Sequence, residues 1–286
     1  MSDWQLFLKK LFSIFTSIFV FLIPALEPKE KPDYYEAVEV RDFVLFDAFV
    51  RGQCITTDGE YFYFSGTFGL LKTELDGKEI VKSNLSVIPP ELMLKGCRHI
   101  GGISYYNGKI YVTIEDSQVF QNLYLATYDA ETLELIQYAP VPLEKHENGI
   151  PWCVVDKDTG LVYSARRDRI ETLNVYDPET LEFLYELPLD IKEGDVVHKI
   201  QGGEIYDGIL YVAASREQQA IFAINLATGQ AMKIIDRNLV DGTEGEGLTI
   251  LPMENGAFFH VLDIGSLSLN VHLRSYAFDP STLEWW

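Results

Sequence analysis

From residue 37 onward the chain is built of short apolar runs, each a few residues long and closed by glycine, asparagine or aspartate. The runs Tyr61-Phe-Tyr-Phe64, Lys109-Ile-Tyr-Val112, Leu161-Val-Tyr163 and Ile209-Leu-Tyr-Val212 do not alternate apolar with polar residues. A strand with one wet face would alternate, so these runs predict strands covered on both faces. Each follows a turn ending in Gly59, Gly108, Gly160 or Gly208, and a fifth turn at Gly256 precedes Ala257-Phe-Phe-His-Val261. Asp-Gly and Asn-Gly suit such hairpins because both central residues of a two-residue turn take positive φ. A second signal closes a third strand in Tyr128-Asp-Ala-Glu-Thr-Leu-Glu134, Tyr176-Asp-Pro-Glu-Thr-Leu-Glu182, Ile224-Asn-Leu-Ala-Thr-Gly229 and Phe278-Asp-Pro-Ser-Thr-Leu-Glu284.

The turn glycines recur about every 49 residues, and four short strands per period are the signature of a β-propeller. Aromatic residues, 13% of the chain, are suited to the wedges between twisted sheets. The expectation is an all-β, five-bladed propeller of four-stranded antiparallel blades over residues 37–286, with a six-bladed ring as the alternative. The fifth unit runs out near Trp286 where its fourth strand should begin, and Ala37–Phe46 is a strand-like segment ahead of the first unit. Pairing that segment with the last blade would remove an open edge and close the ring.

Residues 1–26 read differently. Lys9 and Lys10 precede the 16-residue apolar run Leu11–Leu26, shorter than the roughly 20 residues a spanning helix needs. A basic flank, a short apolar stretch and an abrupt polar exit fit a signal peptide or a membrane anchor. Residues 27–36 follow as a linker. A secreted or extracytoplasmic, membrane-anchored protein is expected, with the membrane contacted through the N-terminal segment if it is not cleaved.

Charge narrows the partners. Lys plus Arg is 23 and Asp plus Glu 43, a net charge of −20, which repels phosphate backbones and excludes nucleic acid. A monomer binding a small molecule or an extracellular or envelope protein is expected. Cys54, Cys97 and Cys153 are an odd set and read as buried small hydrophobes.

In a propeller the innermost strand starts, and the second strand ends, at the same face. Polar residues at those places should converge on one channel mouth, which collects His99, Glu115, Asp116, Asn148, Arg166, Arg167, His198, Gln201, Glu204, Arg216, Glu244, Glu246 and Asp263. Glycines beside the strand starts would let backbones approach around a narrow axis. His99, His198, Glu115, Asp116, Glu204 and Glu246 could hold a divalent cation in the central channel, the one cofactor these donors suggest. Arg98, Arg166, Arg167 and Arg216 could clamp a carboxylate or phosphate. No Gly-x-Ser-x-Gly elbow and no phosphate-cradling loop occur, so no catalytic residue is assigned.

At the level of its repeats the chain resembles the exported propellers of the NHL, YVTN and quinoprotein-like groups. Gly52-Gln-Cys-Ile-Thr-Thr-Asp-Gly59 with Phe64-Ser-Gly-Thr-Phe-Gly-Leu70 resembles the first blade of five-bladed glutaminyl cyclases, although that family carries a carboxylate where Phe64 stands. Asn148-Gly-Ile-Pro-Trp152 is similar to a segment of gluconolactonase-type metal propellers, and olfactomedin domains offer a non-enzymatic five-bladed analogue. These resemblances imply either a binding propeller or an enzyme of cyclotransferase, lactonase or hydrolase type.

Overall fold

The computed structural model describes residues 35–215, 218–265 and 267–286. Its strands form five sheets. Blade 1 holds β2 (Cys54–Thr57), β3 (Phe62–Ser65), β4 (Leu70–Thr73) and β5 (Ile80–Asn84). Blade 2 holds β6 (His99–Tyr106), β7 (Lys109–Glu115), β8 (Leu123–Asp129) and β9 (Leu135–Pro140). Blade 3 follows with β10 (Val154–Val155), β11 (Val162–Ser164), β12 (Thr172–Tyr176) and β13 (Phe183–Pro188). In blade 4, β15 (Ile200–Tyr206), β16 (Ile209–Ala214), β17 (Ala220–Asn225) and β18 (Gln230–Asp236) gain a fifth, parallel strand, β14 (Asp190–Ile191), beyond the four expected. Blade 5 comprises β19 (Glu244–Ile250), β20 (Ala257–Ile264) and β21 (Asn270–Ala277), completed by β1 (Glu39–Val44) from the start of the domain. The ring is therefore five-bladed, not six-bladed.

Closure runs in register from Glu39 opposite Ser275 to Val44 opposite Asn270, antiparallel. Tyr35 Oη donates to the Ala277 carbonyl at 2.6 Å, and Arg41 Nη1 donates to Leu75 O at 2.6 Å, tying β1 to blade 1. The short helix α1 (Phe46–Phe49) then leads to Arg51, whose buried guanidinium donates to Asp47 Oδ1 and the Gly77 carbonyl in the seam between β1 and the β4–β5 turn.

Burial follows the predicted logic. β7 and β8 are buried along nearly their whole length because blades cover both faces, whereas the outer strands β5 and β9 are largely exposed. Five apolar clusters fill the five seams, from Phe43, Phe62 and Phe64 between blades 5 and 1 to Tyr211, Phe258 and Phe259 between blades 4 and 5. The first-hairpin expectation holds in full only in blades 2 and 4, where Asn107-Gly108 and Asp207-Gly208 both have positive φ. In blades 1, 3 and 5 the loops are longer and only the glycine is left-handed, so the Asp-Gly signal marked the turn but not its type. In the third-to-fourth-strand turns, Asp129, Asp177, Asn225 and Asp279 each accept a backbone N–H two or three residues on, as Asx turns do.

At the axis the inner strands touch backbone to backbone. Gly102 N–H donates to the Pro151 carbonyl at 2.8 Å, and Gly247 N–H to the Gln53 carbonyl at 3.1 Å, each bond crossing to the next blade. A side chain at Gly247 would place its Cβ 2.2 Å from Cys54 Sγ and 2.6 Å from Cys54 Cα. All three cysteines are buried and free, as expected, and burial pushes the Cys54 thiol up to about 12. Gly247→Ala should therefore lower stability toward the upper end of the about 1–3 kcal/mol typical of overpacking. Urea unfolding checks this, with Leu94→Ala, 90% exposed, expected to stay within about 0.5 kcal/mol of the parent.

Candidate functional site

Three inner strands are irregular at the same level. The register of β6 slips between Ile100 and Ile103, that of β15 between Ile200 and Gly202, and that of β19 between Gly245 and Leu248. Such bulges bend the strand and re-aim the unpaired side chains. Here they turn Gln201 and Glu246 toward the axis and bring the Gly101 backbone up beside them. The result is an axial cavity of about 200 Å³ to which every blade contributes: Gln53, then His99, Gly101, Glu115 and Ser117, then Pro151 and Arg167, then Gln201, and finally Glu244 and Glu246.

His99 and Glu115 are cross-strand partners on β6 and β7, which puts a strand start and a strand end at one mouth. Glu115 is buried; its Oε1 lies 3.2 Å from His99 Nδ1 and its Oε2 accepts the Ile150 N–H at 3.0 Å. His99 Nε2 is 2.6 Å from Gln53 Oε1, and Gln53 Nε2 donates to the Gly52 carbonyl at 3.2 Å, which fixes the amide orientation. The ring is thus held between blade 1 and its own second strand. Arg167 reaches the cavity from the β11–β12 loop. Its carbonyl accepts the Lys199 N–H, but its guanidinium makes no hydrogen bond or ion pair among the described residues.

Six of the predicted residues therefore meet here: His99, Glu115, Arg167, Gln201, Glu244 and Glu246. Six others do not. Asp116 turns back into the β7–β8 loop, where Oδ2 accepts the N–H groups of Gln121 and Asn122. Asn148 is exposed, with φ +68°, over a neighbouring hollow beside Phe120 and His146. Arg166 donates twice to the Arg169 carbonyl, and His198 faces Asp168 at 3.8 Å on the outer rim. Glu204 lies further along β15, at the opposite end of the channel: Lys157, from a first-hairpin turn, sits 3.1 Å from its Oε1, and Thr249 Oγ1 donates to Oε2 at 3.0 Å. Burial raises the Glu204 carboxyl against these partners. Asp263 is fully buried between Arg237 Nη2 at 2.5 Å and Arg274 Nε at 3.1 Å, an ion cluster that braces blade 5. Arg216 lies outside the described residues.

Of the proposed cation donors, His99, Glu115 and Glu246 line the axial cavity, and Asp116, His198 and Glu204 do not. Among the described residues no group of three or more His, Cys, Asp or Glu side chains is arranged to hold a metal ion. Arg98 borders a separate hollow with Phe68 and Met93 and does not line the axial cavity with Arg167. Sequence reasoning underrated Gln53, although it stands before β2 much as Gln201 stands in β15, and it missed Arg237, which no repeat position announces. Asn84 Nδ2, at the end of β5, donates to the Leu133 carbonyl at 2.8 Å. Among the described residues no helix is long and apolar enough to cross a membrane, and the apolar run at Leu11–Leu26 lies outside them.

No family model and no curated protein matches the chain. Solved structures do. A β-xylosidase structure aligns with a TM-score of 0.53 at 12% identity, over 84% of this chain and 96% of its own. A chain of a mitotic checkpoint complex aligns at 0.47 and 7% identity, over 88% of this chain and 95% of its own. The WD40 repeats of RRP9 align at 0.46 and 8% identity, over 84% of each chain. At such identities the likeness is one of fold: the chain is a β-propeller.

His146 is buried in blade 3 against Tyr176 Oη and the Asn174 amide. Burial lowers its pKa to about 4. The unfolded chain takes up a proton near pH 6.5 that the folded chain refuses until about pH 4, so stability is full above pH 6.5 and falls as pH drops through that window. The expected loss is about 3 kcal/mol, from 1.36 kcal/mol per pKa unit. Urea midpoints measured from pH 7 to pH 4.5 should show a steeper fall in the parent than in His146→Gln.

Proposed function

We propose that the protein is an exported or membrane-anchored binding propeller that holds a small, carboxylate-bearing ligand in the axial cavity. The observation that carries this reading is the Arg167 guanidinium, which has no partner among the described residues and stands in a cavity shared by all five blades. A guanidinium offers a planar fork that matches a carboxylate. The amides of Gln53 and Gln201 add neutral donors beside it. The cavity is smaller than the about 300–1,000 Å³ of drug-sized sites, which selects a molecule of amino-acid size. A net charge of −20 directs the protein to partners other than nucleic acid.

The pairing of His99 with Glu115 favours a second reading, an enzyme of lactonase, hydrolase or cyclotransferase type. A carboxylate beside an imidazole orients it as general acid–base catalysts are oriented. The first-blade resemblance to glutaminyl cyclases points the same way.

Calorimetry with succinate, and with succinamide as its neutral analogue, tests the first reading. Succinate should bind and succinamide should not, and Arg167→Gln should weaken succinate about 10–100-fold, the worth of a charge-assisted hydrogen bond. Equal binding of both compounds, or an unaffected variant, would overturn it. For the second reading, γ-butyrolactone or a glutaminyl peptide should be turned over by the parent, and His99→Gln should lose turnover while still binding succinate.

A further inference from the structure

A second site stands apart from the axis, at the corner of the mouth face formed by blade 1 and its link to blade 2. Apolar side chains are exposed here well beyond what the fold requires: Leu94 is 90% exposed, Phe46 62%, Met93 52% and Phe49 50%. The short helix α2 (Pro90–Leu94) explains part of this. One turn long, it buries Leu92 under blade 2 and so must present Met93 and Leu94 outward. Phe68, from the β3–β4 loop, packs edge-on against Phe49 at 5.3 Å.

Between these elements lies a hollow of about 370 Å³, lined by Phe68, Leu85, Ile88, Met93 and Cys97 and bordered by Arg98. Burial, followed by the charge of Asp116, pushes the Cys97 thiol up to about 11, so that wall is uncharged. The Arg98 backbone is fixed by its N–H bond to the Glu115 carbonyl, 3.2 Å. Its guanidinium makes no hydrogen bond or ion pair among the described residues. Because successive residues at a strand start point to opposite sides, His99 faces the axis and Arg98 faces the hollow.

We infer that this hollow binds a linear aliphatic carboxylic acid, its chain along the apolar lining and its carboxylate on Arg98. The volume falls within the range of small-molecule sites. An amphipathic helix would need apolar anchors spaced over two or more turns, and the lining is a compact set of five apolar residues and a cation. On the rest of that rim the exposed apolar residues Val119, Val196 and Leu267 are interrupted by Glu147, Asp168, Arg169 and Asp241, which a bilayer would have to desolvate. A hydrocarbon tail matches the apolar lining, and a carboxylate head matches the guanidinium that borders it.

Calorimetry on the full chain with butanoate, hexanoate, octanoate and decanoate tests the proposal. Affinity should rise about fourfold per added methylene, the equivalent of about 0.8 kcal/mol, until the hollow is filled. Octanoate should bind at least about tenfold tighter than 1-octanol, and Arg98→Gln should abolish that difference. Met93→Asp should flatten the chain-length dependence; both residues are exposed, and an unchanged melting temperature confirms intact folding. Arg167→Gln should leave octanoate binding unchanged, which separates this site from the axial one. Absence of binding, binding that ignores both Arg98→Gln and Met93→Asp, or co-sedimentation with phosphatidylcholine vesicles in its place would overturn the assignment.

Discussion

Backbone contact at the axis is the constraint from which the rest follows. Five sheets can meet edge to edge around a line only if their innermost strands carry no side chains where they touch. Gly102 against Trp152, and Gly202 and Gly247 against Cys54, meet that demand. The same contact dictates the bulges, because a strand that must approach its neighbour and still pair with its own hairpin partner has to take up the mismatch locally. The bulges in turn aim Gln201 and Glu246 inward. The polar cavity is thus a by-product of ring closure that the chain has furnished with charge.

Its electrostatics show two different uses of ionised groups. Asp263, Arg237 and Arg274 are buried together with the carboxylate ion-paired to both guanidinium groups, an arrangement that braces blade 5 and would be costly to break. On the cavity wall the charges are arranged otherwise: Glu115 is pinned by Ile150 and His99, while the Arg167 guanidinium meets no acceptor among the described residues. That contrast separates Asp263, whose charge is taken up within the fold, from Arg167, whose charge borders the axial cavity.

The fold was legible because its signals are local and repeated. Turn glycines, Asx turns after the third strand and doubly buried runs each report on a few neighbouring residues, and five copies make the period plain. Closure by β1 could be deduced from a missing strand at one end and a surplus one at the other. The site was half legible. Topology correctly placed His99 and Glu115 at one mouth, but direction along a strand depends on bulges that sequence does not mark. Glu204 was misplaced for that reason, lying beyond the β15 bulge and pointing to the far opening. Asp116, one residue past Glu115, was lost to its own loop, since a short carboxylate followed by free N–H groups caps them in preference to facing solvent.

The clasp between β1 and β21 has a mechanical meaning. The strand that completes blade 5 is the one nearest to the N-terminal apolar segment, so tension applied there would be borne first by the rungs from Glu39–Ser275 to Val44–Asn270. During synthesis the same strand emerges early and waits for a mate 230 residues away, as Asp42 and His272 illustrate by their 2.7 Å contact. Pairings so distant in sequence are slow to form. The clasp is therefore the slowest rung of assembly to form, and under a load applied at the N-terminal side it would be the first to give.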